Sequence, residues 1–174
     1  MNLVLLTHER EVDRPTNTGL LALNAFPQWC RRIIWSRVSP DLALKELISS
    51  HSAAVLFPKP KLLCLSEGRC DAEPMENTQA QLYLEHMPDT LIILDATWQE
   101  ARKMMRQSPY LKAADKFALT EQADSGFTLR RNQIEGGLCT IECIIGLLEL
   151  KSRHQEVELL TQAFHDFQAG RQSG

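Results

Sequence analysis

The sequence lacks any apolar run long enough to cross a bilayer, so it predicts a protein without a membrane-spanning helix. Its first residues, "MNLVLLTHERE", lack the basic start and the cleavage-site pattern of a signal peptide and predict a strand instead. Internal repeats and low-complexity segments are also missing. We therefore expect residues 1–174 to form one cytoplasmic domain with the last few residues frayed.

Cysteine pairs of the C-x-x-C type are absent as well. The five cysteines are irregularly spaced and odd in number, which argues against a zinc ribbon and against a disulfide framework. We expect reduced thiols in the core and no bound metal.

A strong net charge of either sign is missing too. The formal net charge is −3, so the surface as a whole does not favour nucleic acid, whereas a local basic face remains compatible with it.

The chain does contain an alternation of strand and helix patterns, distinguished by the spacing of apolar residues. The predicted strands are Leu3–Glu9, Arg31–Arg37, Ala53–Pro58 and Thr90–Leu94, with two further short strands in "KFALT" and "FTLRR". The predicted helices are "LLALNAF", "LALKELIS", Asn77–Met87, Trp98–Gln107, "GGLCTIECIIGLLELKS" and a final amphipathic segment around Leu160. This alternation predicts an α/β fold, with a mainly parallel sheet and helices on both faces.

The stretch "LDATWQEARKMM" places a carboxylate between a buried strand and a helix. The run Thr90–Leu94 is apolar without alternation, which indicates burial on both faces. Thr97 and Glu100 have the spacing of a capping box, so a helix begins directly after Asp95. Ligands of parallel α/β sheets bind at the carboxyl ends of the strands. Asp95 therefore either helps to cap the helix or belongs to a ligand site, and the neighbouring Trp98 either packs in the core or stacks on a ligand.

The predicted helix after Asp95 has an apolar face and a basic face. Arg102 and Arg106 are one helical turn apart, and Lys103 lies beside them. A solvated surface explains this stripe, and so does a face that contacts the phosphate groups of a nucleic acid. Both interpretations stay open at this point.

Several short motifs together resemble the DTW-domain family. The element that gives the family its name, Asp-x-Thr-Trp, is found here as Asp95-Ala96-Thr97-Trp98. Other stretches resemble the family's remaining signature elements, occur in the same order and span nearly the whole chain. They are "RPTNTG" (Arg14–Gly19), "WSR" (Trp35–Arg37), "LFP" (Leu56–Pro58), "SPYL" (Ser108–Leu111), "LR" (Leu129-Arg130) and "CTIE" (Cys139–Glu142).

This resemblance implies an activity. The bacterial family members that the chain most resembles transfer a 3-amino-3-carboxypropyl group from S-adenosylmethionine to a uridine in tRNA. The family is placed among SPOUT-like proteins, whose chain ties an α/β knot. The resemblance thus implies S-adenosylmethionine as co-substrate, tRNA as partner and uridine N3 as nucleophile. Many relatives carry a Cys-rich stretch before the domain, whereas this sequence starts at the first predicted strand, which again predicts no zinc.

The resemblance also implies roles for individual residues. Asp95 is the candidate catalytic residue, either as a general base for uridine N3 or as a group that orients the donor's amino group. Arg130 would hold the donor's carboxylate, with a solvent-exposed arginine on a strand as the alternative. The residues implied at the donor are Phe57, Pro58, Leu94, Thr97, Trp98, Arg130, Leu138, Thr140 and Glu142. The residues implied at the tRNA are Arg14, Arg37, Arg102, Lys103 and Arg106.

Two other functions share these sequence features. The first is a SPOUT-type RNA methyltransferase, which uses the same donor and transfers a different carbon. The second is a non-catalytic RNA-binding module, which would not bind S-adenosylmethionine. The oligomeric state stays open.

Overall fold

A parallel sheet with surrounding helices is seen in a computed structural model of the chain, which describes residues 1–56, 87–117, 119 and 138–172. The strands are β1 (Asn2–Thr7), β2 (Cys30–Ile34), β3 (Ala53–Leu56), β4 (Thr90–Asp95) and β5 (Asp115–Phe117). The helices are α1 (Glu9–Val12), α2 (Gly19–Ala25), α3 (Leu42–Ser49), α4 (Trp98–Gln107), α5 (Pro109–Ala113), α6 (Thr140–Leu150) and α7 (His154–Gln172).

The five strands of this described part form one sheet in the order β2-β1-β4-β3-β5. All neighbouring strands are parallel, and β4 lies in the centre between β1 and β3. The register places Thr7 of β1 beside Asp95 of β4, so the two strands end at the same edge of the sheet. This edge therefore collects the carboxyl ends of the strands, where parallel sheets bind their ligands.

Alternate residues of β1 divide the core into two clusters. Leu3 and Leu5 belong to the cluster that packs against α2, α6 and α7, whereas Val4 and Leu6 belong to the cluster that packs against α3, α4 and α5. Successive side chains of a strand point to opposite faces of the sheet, so helices cover both faces. The predicted fold class, an α/β protein with a parallel sheet and helices on both faces, is confirmed.

Local sequence explains how the helices beside the sheet begin and what they bury. Asp41 precedes α3, and its Oδ1 accepts a hydrogen bond from the backbone N of Leu44 at 2.8 Å. Helix α6 is apolar on most sides because it contacts both α7 and the sheet. Its fully buried residues are Ile141, Ile144, Leu147 and Leu148.

Most predicted elements are confirmed, some with shifted ends. The helix Trp98–Gln107 is observed as predicted, whereas β2 spans Cys30–Ile34 and so ends before the predicted Arg37. Helices α1 and α5 were not predicted. Each is only one turn long, and such a short segment has no apolar periodicity to detect.

Several predictions fall outside the described residues. They concern residues 77–86 of a predicted helix, the strand in "FTLRR", and the site residues Phe57, Pro58 and Arg130. The α/β knot also stays a prediction.

Candidate active site

Asp95 is the centre of a buried hydrogen-bond cluster at the carboxyl end of β4. The residue is only 2% exposed. Its Oδ2 accepts hydrogen bonds from Thr7 Oγ1 at 2.9 Å and from Asn17 Nδ2 at 2.9 Å. Its Oδ1 accepts a hydrogen bond from Thr140 Oγ1 at 2.9 Å. The carboxylate therefore joins the end of β1, the loop before α2 and the start of α6.

The loop before α2 is shaped to reach this carboxylate. Asn17 Nδ2 also donates to the backbone oxygen of Glu11 at 2.8 Å, and Asn17 Oδ1 accepts from the backbone N of Gly19 at 2.8 Å. A Cβ atom at Gly19 would lie 3.0 Å from Asp95 Oδ1 and 3.0 Å from Leu5 Cδ1. The glycine of the "RPTNTG" motif is thus required by the close approach of the helix start to Asp95.

A cation lies next to this cluster. Arg32 of β2 places its Nη2 3.9 Å from Asp95 Oδ2, and its side chain is 18% exposed. The nearby thiol of Cys30 has its pKa raised to about 12 by burial and by the negative charge of Asp95, with Arg32 opposing the rise. Cys30 is therefore an inert core thiol, and not a nucleophile.

Helix α4 has its own cap, and Asp95 directs its side chain elsewhere. Thr97 is the N-cap, and its Oγ1 accepts from the backbone N of Glu100 at 3.3 Å. Glu100 Oε2 in turn accepts from the Thr97 backbone N at 3.2 Å and from Thr97 Oγ1 at 2.8 Å, which completes the predicted capping box. Burial raises the pKa of Glu100, but the bonds from Thr97 and the charges of His8 and Arg14 outweigh this and lower it.

His8 and Trp35 form a stacked pair of rings that was not predicted from the sequence. Their rings stack with centroids 5.5 Å apart, and His8 is 5% exposed. His8 Nδ1 accepts from the backbone N of Arg10 at 3.3 Å and lies 3.9 Å from Glu100 Oε1. Trp35 Nε1 donates to Ser108 Oγ at 2.9 Å. This bond joins the "WSR" and "SPYL" motifs. The presence of both motifs was the signal from which the sequence could have predicted their contact.

The predicted donor residues lie at different distances from Asp95. Thr140 contacts Asp95 directly, and Leu138 precedes it in the chain. Leu94 packs against the hydrophobic cluster on one face of the sheet, whereas the side chain of Asp95 lies on the other face. Glu142 Oε2 accepts from the backbone N of Cys139 at 2.7 Å, so this carboxylate caps α6. The remaining predicted residues are Thr97 and Trp98 at the start of α4, and Phe57, Pro58 and Arg130 outside the described residues.

The predicted tRNA residues lie on the surface. Arg102, Lys103 and Arg106 are exposed along α4, the helix that starts directly after the Asp95 cluster. Arg37 is exposed in the segment after β2. Arg14 is 42% exposed and pairs with the buried carboxylate of Glu11, so its charge is partly offset within the protein.

The described residues contain no group of three or more His, Cys, Asp or Glu side chains that could hold a metal ion. None of the helices in the described ranges is long and apolar enough to cross a membrane.

At its carboxyl edge, the parallel sheet brings together a buried acid, an adjacent arginine and two helix starts. This arrangement defines an α/β protein with a candidate ligand site. The DTW domain family matches residues 1–171, and the chain therefore belongs to this family.

One curated relative is the protein of Drosophila melanogaster named tRNA-uridine aminocarboxypropyltransferase 2. It is 27% identical over 172 residues, which cover 94% of this chain and 61% of the relative. The chain thus spans less than two thirds of that relative's length. No solved structure matches the chain significantly.

Proposed function

We propose that the protein is a tRNA-uridine aminocarboxypropyltransferase that uses S-adenosylmethionine as the donor. The family membership and the name of the Drosophila relative support this proposal. The observation that carries it is the position of Asp95, the first residue of the DTW element. Asp95 lies where the ends of β1 and β4 meet the start of α6, at the ligand-binding edge of a parallel sheet.

The proposed reaction is a substitution at the γ-carbon of the donor's methionine part. Uridine N3 forms a bond to this carbon, and the bond from the carbon to sulfur breaks. The electron pair of that bond passes to sulfur, methylthioadenosine leaves, and the N3 proton passes to water. Because the sulfonium is already a good leaving group, the main task of the protein is to place N3 against the γ-carbon.

Among the described residues, the geometry leaves Asp95 Oδ1 able to accept one more hydrogen bond, which can hold the donor. Asp95 Oδ2 already accepts two hydrogen bonds, whereas a general base needs a lone pair directed at the proton that it removes. Asp95 Oδ1 accepts one hydrogen bond from the described residues, that of Thr140, and a carboxylate oxygen has two lone pairs. We assign the second lone pair to the ammonium group of the donor, and the general-base role is the alternative.

The other predicted residues would surround this contact between Asp95 and the donor. Thr140 orients Asp95, while Thr97, Trp98 and Leu138 flank the donor from the starts of α4 and α6. Leu94 would contribute its backbone, since its side chain packs on the other face of the sheet. The proposed donor residues Phe57, Pro58 and Arg130 and the capping residue Glu142 complete the set. The exposed cations of α4 start next to the site and would contact the tRNA phosphates.

Transfer of isotope from the donor to tRNA tests the proposal. The purified protein is incubated with unmodified tRNA and with S-adenosylmethionine labelled either in the carboxyl carbon or in the methyl carbon. Aminocarboxypropyl transfer labels the tRNA only from the carboxyl carbon, and mass analysis of the nucleosides then identifies the modified uridine. Label from the methyl carbon would instead show a methyltransferase. Absence of both labels, together with tRNA binding, would show a binding module.

A further inference from the structure

Two neighbouring arginines of β2 have different surroundings. Arg31 is exposed, whereas the side chain of Arg32 is only 18% exposed. Arg32 pairs in register with Leu5, and Leu5 belongs to the core cluster on the same face as α2 and α6. Since successive side chains of a strand point to opposite faces, this register directs Arg32 towards the face on which Asp95 is bound.

The guanidinium group of Arg32 has donors without acceptors. Its Nε and Nη2 are buried and have no hydrogen-bond partner among the residues that the structure describes. Its Nη2 lies 3.9 Å from Asp95 Oδ2, which is too long for a hydrogen bond. Asp95 Oδ2 is already occupied by Thr7 and Asn17. Buried polar groups in proteins are almost always paired, so these donors point to a ligand that supplies the acceptors.

The chemistry of the ligand follows from this pair of charges. The planar fork of an arginine fits a carboxylate or a phosphate. The free donors of Arg32 are closed off from bulk water, which suits the carboxylate at the end of a small ligand better than the backbone of a nucleic acid. Asp95, the neighbouring anion, attracts a cation. An ammonium and a carboxylate attached to one carbon atom, as in an α-amino acid, complement this arrangement.

We propose that Arg32, in place of the Arg130 that the resemblance implies, binds the α-carboxylate of the aminocarboxypropyl group of the donor, with the ammonium of the same carbon on Asp95 Oδ1. This proposal rests on the proposed function. The transferred group keeps both charges while the carbon–sulfur bond breaks and the bond to uridine N3 forms. Arg32 and Asp95 therefore hold the group throughout the transfer, and Arg32 selects donors that carry the carboxylate.

Calorimetric titration with three ligands tests this assignment without relying on turnover. The ligands are S-adenosylmethionine, decarboxylated S-adenosylmethionine and methylthioadenosine. We expect the wild type to bind S-adenosylmethionine about 10- to 100-fold more tightly than the decarboxylated compound, as hydrogen bonds to a charged group imply. Arg32→Met should lose this preference and leave the affinity for methylthioadenosine unchanged.

Arg31→Met is the matched control, because it removes the same charge from the same strand on the solvent side. It should bind all three ligands like the wild type. A thermal melt shows whether Arg32→Met is folded, and Arg32→Gln, which keeps a polar side chain, replaces it if it is not.

Two results separate the failure of this assignment from the failure of the proposed function. If the wild type binds S-adenosylmethionine but does not distinguish it from the decarboxylated compound, or if the folded Arg32 variant keeps the preference, the assignment of Arg32 is overturned and the proposed function stands. If the wild type binds no S-adenosylmethionine, both proposals are rejected together.

Discussion

Asp95→Asn is the substitution that separates the roles of the carboxylate. The amide has nearly the same shape, and one of its orientations keeps all three hydrogen bonds. In this orientation the amide oxygen accepts from Thr7 and Asn17, while the amide nitrogen donates to the hydroxyl oxygen of Thr140. The substitution therefore removes the negative charge beside Arg32 and leaves the connections of the cluster in place.

The expected loss of stability follows from the three hydrogen bonds. A bond to a charged group contributes about 1.5–3 kcal/mol and a neutral bond about 0.5–1.5 kcal/mol, so each bond to Asp95 weakens by about 1 kcal/mol. The free energy of unfolding should fall by about 3 kcal/mol, compared with about 5–15 kcal/mol for a typical domain. We expect Asp95→Asn to be less stable than the wild type and still folded.

The assays are urea unfolding, donor titration and single-turnover transfer on the same preparation. If Asp95 holds the donor's ammonium, donor affinity falls together with the rate. If Asp95 is a general base, donor affinity is unchanged and the rate falls by about 10²–10⁴-fold. Asp89→Asn is the control, because it removes an exposed carboxylate just before β4 and should change neither quantity. Wild-type affinity and rate in folded Asp95→Asn would refute both roles.

Three further predictions concern the surroundings of this residue. Replacing Arg102 and Arg106 together by Ala should weaken tRNA binding and flatten its salt dependence without changing donor affinity, because phosphate contacts release counterions; an unchanged salt slope would identify the stripe as ordinary surface. Gly19→Ala should lower the free energy of unfolding by about 1–3 kcal/mol, because its Cβ would approach Asp95 Oδ1 to 3.0 Å; a thermal melt equal to that of the wild type would contradict this. The pKa of Glu100 is lowered from its ordinary value of 4.5, so its carboxylate stabilises the fold above this pH and the contribution is lost as the pH falls through the lowered value. The difference in unfolding free energy between the wild type and Glu100→Gln should therefore disappear in acid, and a pH-independent difference would show that the charge of Glu100 contributes nothing.

Local sequence was sufficient to predict a feature wherever residues close together in the chain make its contacts. The apolar run of β4 reflects burial on both faces, and the capping box of α4 depends on two residues three positions apart. The apolar character of α6 likewise predicted its burial. Such features arise within one turn or one strand, so periodicity and spacing reveal them. The order of the strands and the register of β1 with β4 have no comparable local signal.

The direction of the Asp95 side chain depended on tertiary structure. The sequence placed this carboxylate at a strand end and left capping as an alternative, whereas its partners Thr7, Asn17 and Thr140 are 88, 78 and 45 residues away along the chain. The contrast between exposed Arg31 and buried Arg32 has the same origin. Which face of a strand is covered, and by which helix, is decided by the packing of distant segments, and this packing brings an arginine to within 3.9 Å of Asp95.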